Sequence, residues 1–407
     1  MPELRNYNPY SPEMSRDPYP WYAMLREEAP VHFVEAARLH VVSRYDDVQV
    51  VLRDHARFSS EGMKAGMRFG MSLEKLPEDV RTFVTQRNLI TADPPVHTSL
   101  RNLVNRAFTP RRIADLEGRV RQLSRELIAA FLEKGEFELA EALSIPLPVI
   151  VISEMLGVEP ERRRDFKRWS DAIVSTTSVM LQGGDLTEVI KSQRELTAYM
   201  QETIARRRVE PREDLISVLI QGNEKETLTP EELIVFCRLL LIAGNETTTN
   251  LLGNGLIALM DHPEEQKKLR ADPSLIAGAV EEMLRYDSPV QGLFRQAKTD
   301  VTLSGVTLPA GAQVMAVTGS ANRDGRKFKD ADRFDVSRDS QGQIAFGFGI
   351  HFCLGAPLAR LEAKVALEEL LKATRWIEYA PGQKGQVPYV QSVLLRGPKA
   401  LKLRFER

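Results

Sequence analysis

Only two of the 407 residues are cysteine, Cys237 and Cys353. That is too few for a secreted disulfide framework, so each cysteine has to be judged by its neighbours. Charge of one sign is lacking as well. Lys and Arg total 55 against 56 Asp and Glu, a formal net charge of -1, which leaves no global basic field to recruit nucleic acid or anionic lipid. The opening stretch MPELRNYNPYSPEMSRDPYP is polar and proline-rich, with no apolar signal region and no spanning run, which predicts a cytoplasmic protein with no membrane partner. No internal repeat and no Gly/Ser or Pro-rich linker divides the chain, so residues 1–407 are expected to form a single domain. What is present is an ordinary globular mixture, 43% hydrophobic and 27% charged, with enough apolar residues for a large core.

Periodicity favours helices over a minor β region. The stretch HVVSRYDDVQVVLRD reads as a strand or two followed by a short helix. From Thr109-Pro110, apolar residues recur at steps of three and four through Ile113, Leu116, Val120, Leu123, Leu127 and Phe131, predicting one helix that stops at Gly135. Thr229-Pro230-Glu231-Glu232 carries a capping box and a first-turn proline, and the helix it opens runs to about residue 261, before Pro263. That is roughly 45 Å, enough to cross a domain. Its second half is apolar on nearly every face, which points to burial; Asn245, Glu246, Asn250 and Asn254 exclude a membrane span. A further helix runs from Asp272-Pro273 to Tyr286, then strand-like pieces turn at Gly305 and Gly311, and APLARLEAKVALEELLKA forms a last amphipathic helix directly behind Cys353.

The segment FGFGIHFCLGAPLAR is the most informative. Glycines 347, 349 and 355 bracket Cys353 at a helix entry, so the backbone can approach a flat ligand closely, and amide donors with the helix dipole favour the thiolate. The pattern Phe346-Gly347-x-Gly349-x-His351-x-Cys353-x-Gly355 resembles the haem-binding loop of the cytochrome P450 family. The resemblance implies a mainly α fold with a minor β region and a long central helix across a buried haem b (iron protoporphyrin IX), with Cys353 on the iron and dioxygen as co-substrate. A thiolate ligand pushes electron density onto the iron and favours O–O cleavage.

Further motifs follow in the family's order. Ala243-Gly244-Asn245-Glu246-Thr247-Thr248 places an acid and an alcohol inside an apolar helix, where small residues leave room for a ligand. By resemblance Glu246 and Thr247 are the family's acid–alcohol pair, with Ala243 against the haem. Glu282 and Arg285 share a helix face at i, i+3; alone they would be a solvated pair, but in this order they resemble the family's buried ExxR element, with Arg333 of FKDADRF as third member. Ala331 stands where the family pattern carries proline. His97 and Arg101 in HTSLR, Arg295 in FRQAK, and His351 resemble the family's haem-propionate partners. Cys237 lacks a glycine loop and reads as core, and Arg206-Arg207-Arg208 as a solvated helix end.

For the substrate, the stretch GMKAGMRFGMSLEKL, with Phe69, suggests an adaptable apolar lid, and Leu239, Ala243, Val290, Leu293, Val393 and Leu394 are the other wall candidates. Nearly all are uncharged, so a mostly apolar fatty acid, terpenoid, steroid or macrolide-like compound is expected. Only 54 residues follow Cys353 (353 to 407), which leaves no room for a reductase domain. Electrons are therefore expected from a ferredoxin or flavodoxin served by an NAD(P)H-dependent reductase, docking at Arg106, Arg111, Arg112, Arg360 and Lys364. A peroxide-driven peroxygenase and a non-catalytic haem sensor are the other two readings; neither calls for the Glu246-Thr247 pair.

Overall fold

Capping and periodicity translate directly into elements. The computed structural model describes residues 3–62, 88–106, 108–181, 185–221 and 228–406. The long helix spans Pro230–Asp261, and its capping box closes in both directions: the Thr229 amide donates to Glu232 Oε2 at 3.0 Å and the Glu232 amide to Thr229 Oγ1 at 3.1 Å. The helix expected after Thr109 is two, Pro110–Asp115 and Glu117–Leu132. The break falls at Leu116, whose amide bonds back to the Ile113 and Ala114 carbonyls in a tightened last turn, a feature that apolar spacing alone does not register. The predicted lid, including Phe69, lies outside the described residues.

The chain falls into two compact units, one comprising Met1–Phe69, Gly118–Ser144 and Thr247–Arg407, the other Gly70–Glu117 and Ile145–Glu246. Every described strand belongs to the first unit. Its largest sheet orders Val31–Val34, Leu39–Val42, Gln313–Ala316, Leu293–Ala297 and Phe58–Ser59, all antiparallel except the parallel pair Leu39–Val42 with Gln313–Ala316. Beneath it a core of Val48, Leu52, Phe58, Leu308 and Val314 is almost wholly removed from water. At roughly 25 cal/mol per Å² of apolar surface, such burial anchors strand Leu293–Ala297, which carries Arg295. Helices Ile276–Tyr286 and Ala356–Ala373 pack on each other in the same unit.

The second unit is helical in its described part, with Val96–Asn105, Pro146–Met155, Arg163–Leu181, Thr187–Val209 and Leu215–Ile220. The arginine run at 206–208 departs from the expected solvated helix end. Arg207 is buried, paired with Asp214 and donating to the Gly157 carbonyl at 3.0 Å, while Arg206 reaches Glu159 at 2.9 Å. A guanidinium whose donors are all answered can be buried, and charge counting does not see those partners.

Candidate active site

Cys353 sits three residues before helix Ala356–Ala373, with its amide donating to the Phe346 carbonyl at 2.9 Å. That bond closes the loop. Gly347 and Gly349 take φ of 74° and 75°, the left-handed region that side chains disfavour, and a Cβ at Gly349 would press on the backbone of Leu52 and Arg53. Cys353 is in no disulfide and is partly exposed. Cys237, by contrast, is fully buried in the long helix, and burial pushes its thiol up to about 12, as expected of a core cysteine. Only Cys353 is therefore placed to act as a thiolate.

The loop is held from below. Glu282 and Arg285 are both fully buried and joined by two charge-assisted bonds of 2.7 and 2.8 Å. Arg285 also donates to the carbonyls of Asn322, Ala331 and Arg333. Asn322 in turn accepts the Ile344 amide at 2.8 Å, and Ile344 accepts the Gly347 amide at 3.0 Å, so the pair connects to the cysteine loop by an unbroken hydrogen-bond path. The third charge is not Arg333, whose side chain is 62% exposed and turned to Asp335. Arg338 occupies that place, its Nε 3.2 Å from Glu282 Oε1 and its side chain 13% exposed. Arg333 contributes its carbonyl instead, because the chain has already turned its side chain outward and returns only at Arg338 through the Asp335–Arg338 turn. Ala331, where proline was expected, still supplies its carbonyl to Arg285 at 2.7 Å.

On the same unit, Arg295 is 3% exposed and donates to the Phe294 carbonyl, and His351 Nε2 shares a hydrogen bond of 2.7 Å with Ser60 Oγ. Leu293, two residues before Arg295, faces the cysteine loop: a Cβ at Gly347 would meet its Cδ1 at 3.6 Å. Val290 forms an antiparallel bridge with Leu395, and the Gln291 amide donates to the Leu394 carbonyl at 2.7 Å, so the wall candidates Val290, Val393 and Leu394 are brought together, each half-buried. Arg360 is committed elsewhere, holding Glu281 at 2.6 and 3.0 Å and lying over the Phe346 ring, and Lys364 is 3.6 Å from Glu368. Those intramolecular partners set both apart from the exposed Arg106, Arg111 and Arg112 as docking charges.

In the second unit, His97 is buried one turn from the half-buried Arg101 on helix Val96–Asn105. On the long helix Leu239 is half-buried, Ala243 is exposed, and a Cβ on Gly244 would meet nothing within 4 Å, leaving open space beside an otherwise buried helix. Glu246 is pushed up to about 7 by burial, so near neutrality it populates both protonation states. Asn245 donates to Ser170 Oγ at 3.0 Å, and Thr249 donates to the Ser144 carbonyl at 2.7 Å. These partners satisfy polar groups that would otherwise destabilise the helix.

Sequence reasoning missed Glu362. It is 2% exposed in helix Ala356–Ala373, burial raises its carboxyl to about 8, and it shares a hydrogen bond with Thr248. The signal was available: Leu358, Glu362 and Ala366 follow at i, i+4 and i+8, which puts an acid on the apolar face.

The donor set fits an iron porphyrin. A cysteine at a glycine-lined helix entry, with a buried arginine and a histidine in the same unit, supplies the single thiolate ligand and the cationic partners that a flat dianionic macrocycle requires. The mainly helical fold and thiolate loop thus define a haem-thiolate protein. Residues 28–405 match the family model "Cytochrome P450", and the chain belongs to that family, whose members use haem iron and dioxygen as monooxygenases. It is 40% identical over 390 residues to the vitamin D(3) 25-hydroxylase of Pseudonocardia autotrophica, covering 94% of this chain and 92% of that protein. Among solved structures it resembles cytochrome P450 CYP109Q5 from Chondromyces apiculatus, at 43% identity with a TM-score of 0.90 over 99% of both chains. CYP109E1 from Bacillus megaterium, solved in complex with testosterone, is 39% identical with a TM-score of 0.84, covering 95% of this chain and 99% of that one. Among the described residues no helix is long and apolar enough to cross a membrane.

Proposed function

We propose that this chain hydroxylates or epoxidises a mostly apolar small molecule, using two electrons from a separate ferredoxin or flavodoxin that an NAD(P)H-dependent reductase recharges. The supporting observation is the Glu246-Thr247 pair: an acid that titrates near 7 next to an alcohol, on a helix with open space at Ala243 and Gly244. Reduction of dioxygen consumes protons as well as electrons, and an acid beside an alcohol offers a route for them. Haem b, when bound, supplies the reductive activation of dioxygen. Cys353 would ligate its iron, and His97, Arg101, Arg295 and His351 would neutralise its propionates, with Phe346, Gly347 and Gly355 shaping the loop. Thr247 would hold a proton for transfer through its hydroxyl, and Glu246, half ionised near neutrality, would resupply it from solvent.

Half-buried Leu239, Val290, Leu293, Val393 and Leu394 carry no charge, which favours steroid-sized, terpenoid, fatty-acyl or macrolide-like substrates; the testosterone complex of the relative CYP109E1 is in keeping with that class. The exposed Arg106, Arg111 and Arg112 suit an acidic electron carrier. Parallel measurement of NAD(P)H consumed, product formed and hydrogen peroxide released, with surrogate carriers and testosterone, tests the reading. Thr247→Ala should lower product per NAD(P)H by roughly tenfold and raise hydrogen peroxide, while electron uptake continues. Wild-type coupling in that variant would remove Thr247 from the mechanism.

A further inference from the structure

Two of the proposed wall segments are pinned by one buried cluster that does not itself line the wall. Arg396 directly follows Leu395, and Asp287 lies three residues before Val290, in the two segments that pair at Val290 and Leu395. The Arg396 amide donates to the Pro289 carbonyl at 2.9 Å, and its Nε reaches Asp287 Oδ1 at 2.8 Å, with side chains only 7% and 10% exposed. The same carboxylate oxygen accepts the Tyr19 hydroxyl at 2.7 Å, and Arg396 Nη1 donates to the carbonyls of Ser15 at 2.7 Å and Arg16 at 3.2 Å. From the long helix, the single amide nitrogen of Asn254 donates both to the Asp287 carbonyl at 3.1 Å and to the Arg396 carbonyl at 3.0 Å. One side chain thereby ties both wall segments to the helix.

Glycines let the C-terminal segment seat this closely. A Cβ at Gly397 would run into Asn250, and one at Gly253 would run into Pro398. A small cavity lined by Tyr7, Met14, Tyr22, Met315, Val393 and Arg396 lies against the same segment. The bonds made by Arg396 fix this segment at the end that adjoins Leu395.

We propose that the Arg396–Asp287 ion pair, with Asn254, is a positioning element that sets the spacing between the Val290–Leu293 and Val393–Leu394 walls, and so decides which bulky ligands fit. The proposal rests on those residues forming the substrate wall. Neither charge touches substrate; the pair acts through the segments it holds. Loosening it leaves the wall able to bind only after reordering, at a cost that grows with how much of the wall a ligand touches. Small ligands should be indifferent to it.

The test is spectral titration of the purified holoenzyme with imidazole and with econazole, whose common azole nitrogen binds ferric haem while only econazole is large enough to reach the walls. Asp287→Asn and Arg396→Met should leave imidazole affinity within about twofold and weaken econazole roughly tenfold, with Arg396→Lys closer to wild type because it keeps the charge. Val393→Phe serves as the wall control and should also shift the econazole-to-imidazole ratio. If Val393→Phe shifts the ratio and the clasp variants do not, the clasp is refuted and the wall stands. If Val393→Phe has no effect, the wall reading fails and the clasp falls with it. Should Arg396→Met fail to retain haem, Asp287→Asn and Arg396→Lys decide the matter by the same ratio.

Discussion

Burial, more than any charged neighbour, governs the carboxyl of Glu362. With a folded value of about 8 against an ordinary 4.5, it is protonated in the native protein at pH 7 and ionised in the unfolded chain. Because the folded value is the higher one, the stability it contributes is fully present below about 4.5 and is lost as pH rises through about 8. Glu362→Gln keeps the shape and removes the titration. Its stability relative to wild type should therefore climb between these two values, by on the order of a few kcal/mol, and level off above them. Chemical denaturation at pH 5, 7 and 9 measures this, and a pH-independent difference would show that Glu362 is already ionised in the fold. Single residues were unevenly legible in the sequence. Cys353 stood out through its glycines, whereas Glu362 is one glutamate among several on an amphipathic helix, marked in the sequence by its place between Leu358 and Ala366 and in the fold by its hydrogen bond with Thr248.

Elements were more legible than the side chains they carry. The long helix begins and ends where its capping box and Pro263 place it, because both signals are local and need no tertiary partner. Helix Ile276–Tyr286 was equally plain, yet whether Glu282 and Arg285 faced solvent or core rested on the resemblance, since i, i+3 spacing is the same in both cases. The misassigned third charge has the same origin. Arg333 and Arg338 lie five residues apart in an irregular stretch, and which side chain turns inward depends on backbone turns that no periodicity records. Arg338→Met should cost roughly 2–3 kcal/mol, having removed a charge-assisted bond from a buried carboxylate. Arg333→Met should stay within about 0.5 kcal/mol, as exposed substitutions do. Thermal melts and haem retention of the two variants, measured side by side, would reverse this assignment if Arg333 proved the costly one.

Across the whole molecule, order along the chain carried what no single motif could. An acid beside a threonine or an i, i+3 ion pair has an ordinary structural explanation when taken alone; the Phe346–Gly355 pattern points to one family, and the succession of the other motifs extends the resemblance over the chain. What composition cannot reach is how far a local motif is completed by residues distant in sequence: Asn322 relaying Arg285 to the cysteine loop, or Asn254 joining Asp287 to Arg396. The proposed chemistry nevertheless depends on one atom, the Cys353 sulfur. The most direct measurement is the absorption spectrum of the reduced carbon monoxide complex in wild type, Cys353→His and Cys237→Ala. The long-wavelength Soret band of thiolate-ligated haem should appear in wild type and in Cys237→Ala and be lost in Cys353→His; its loss in Cys237→Ala with retention in Cys353→His would contradict the assignment.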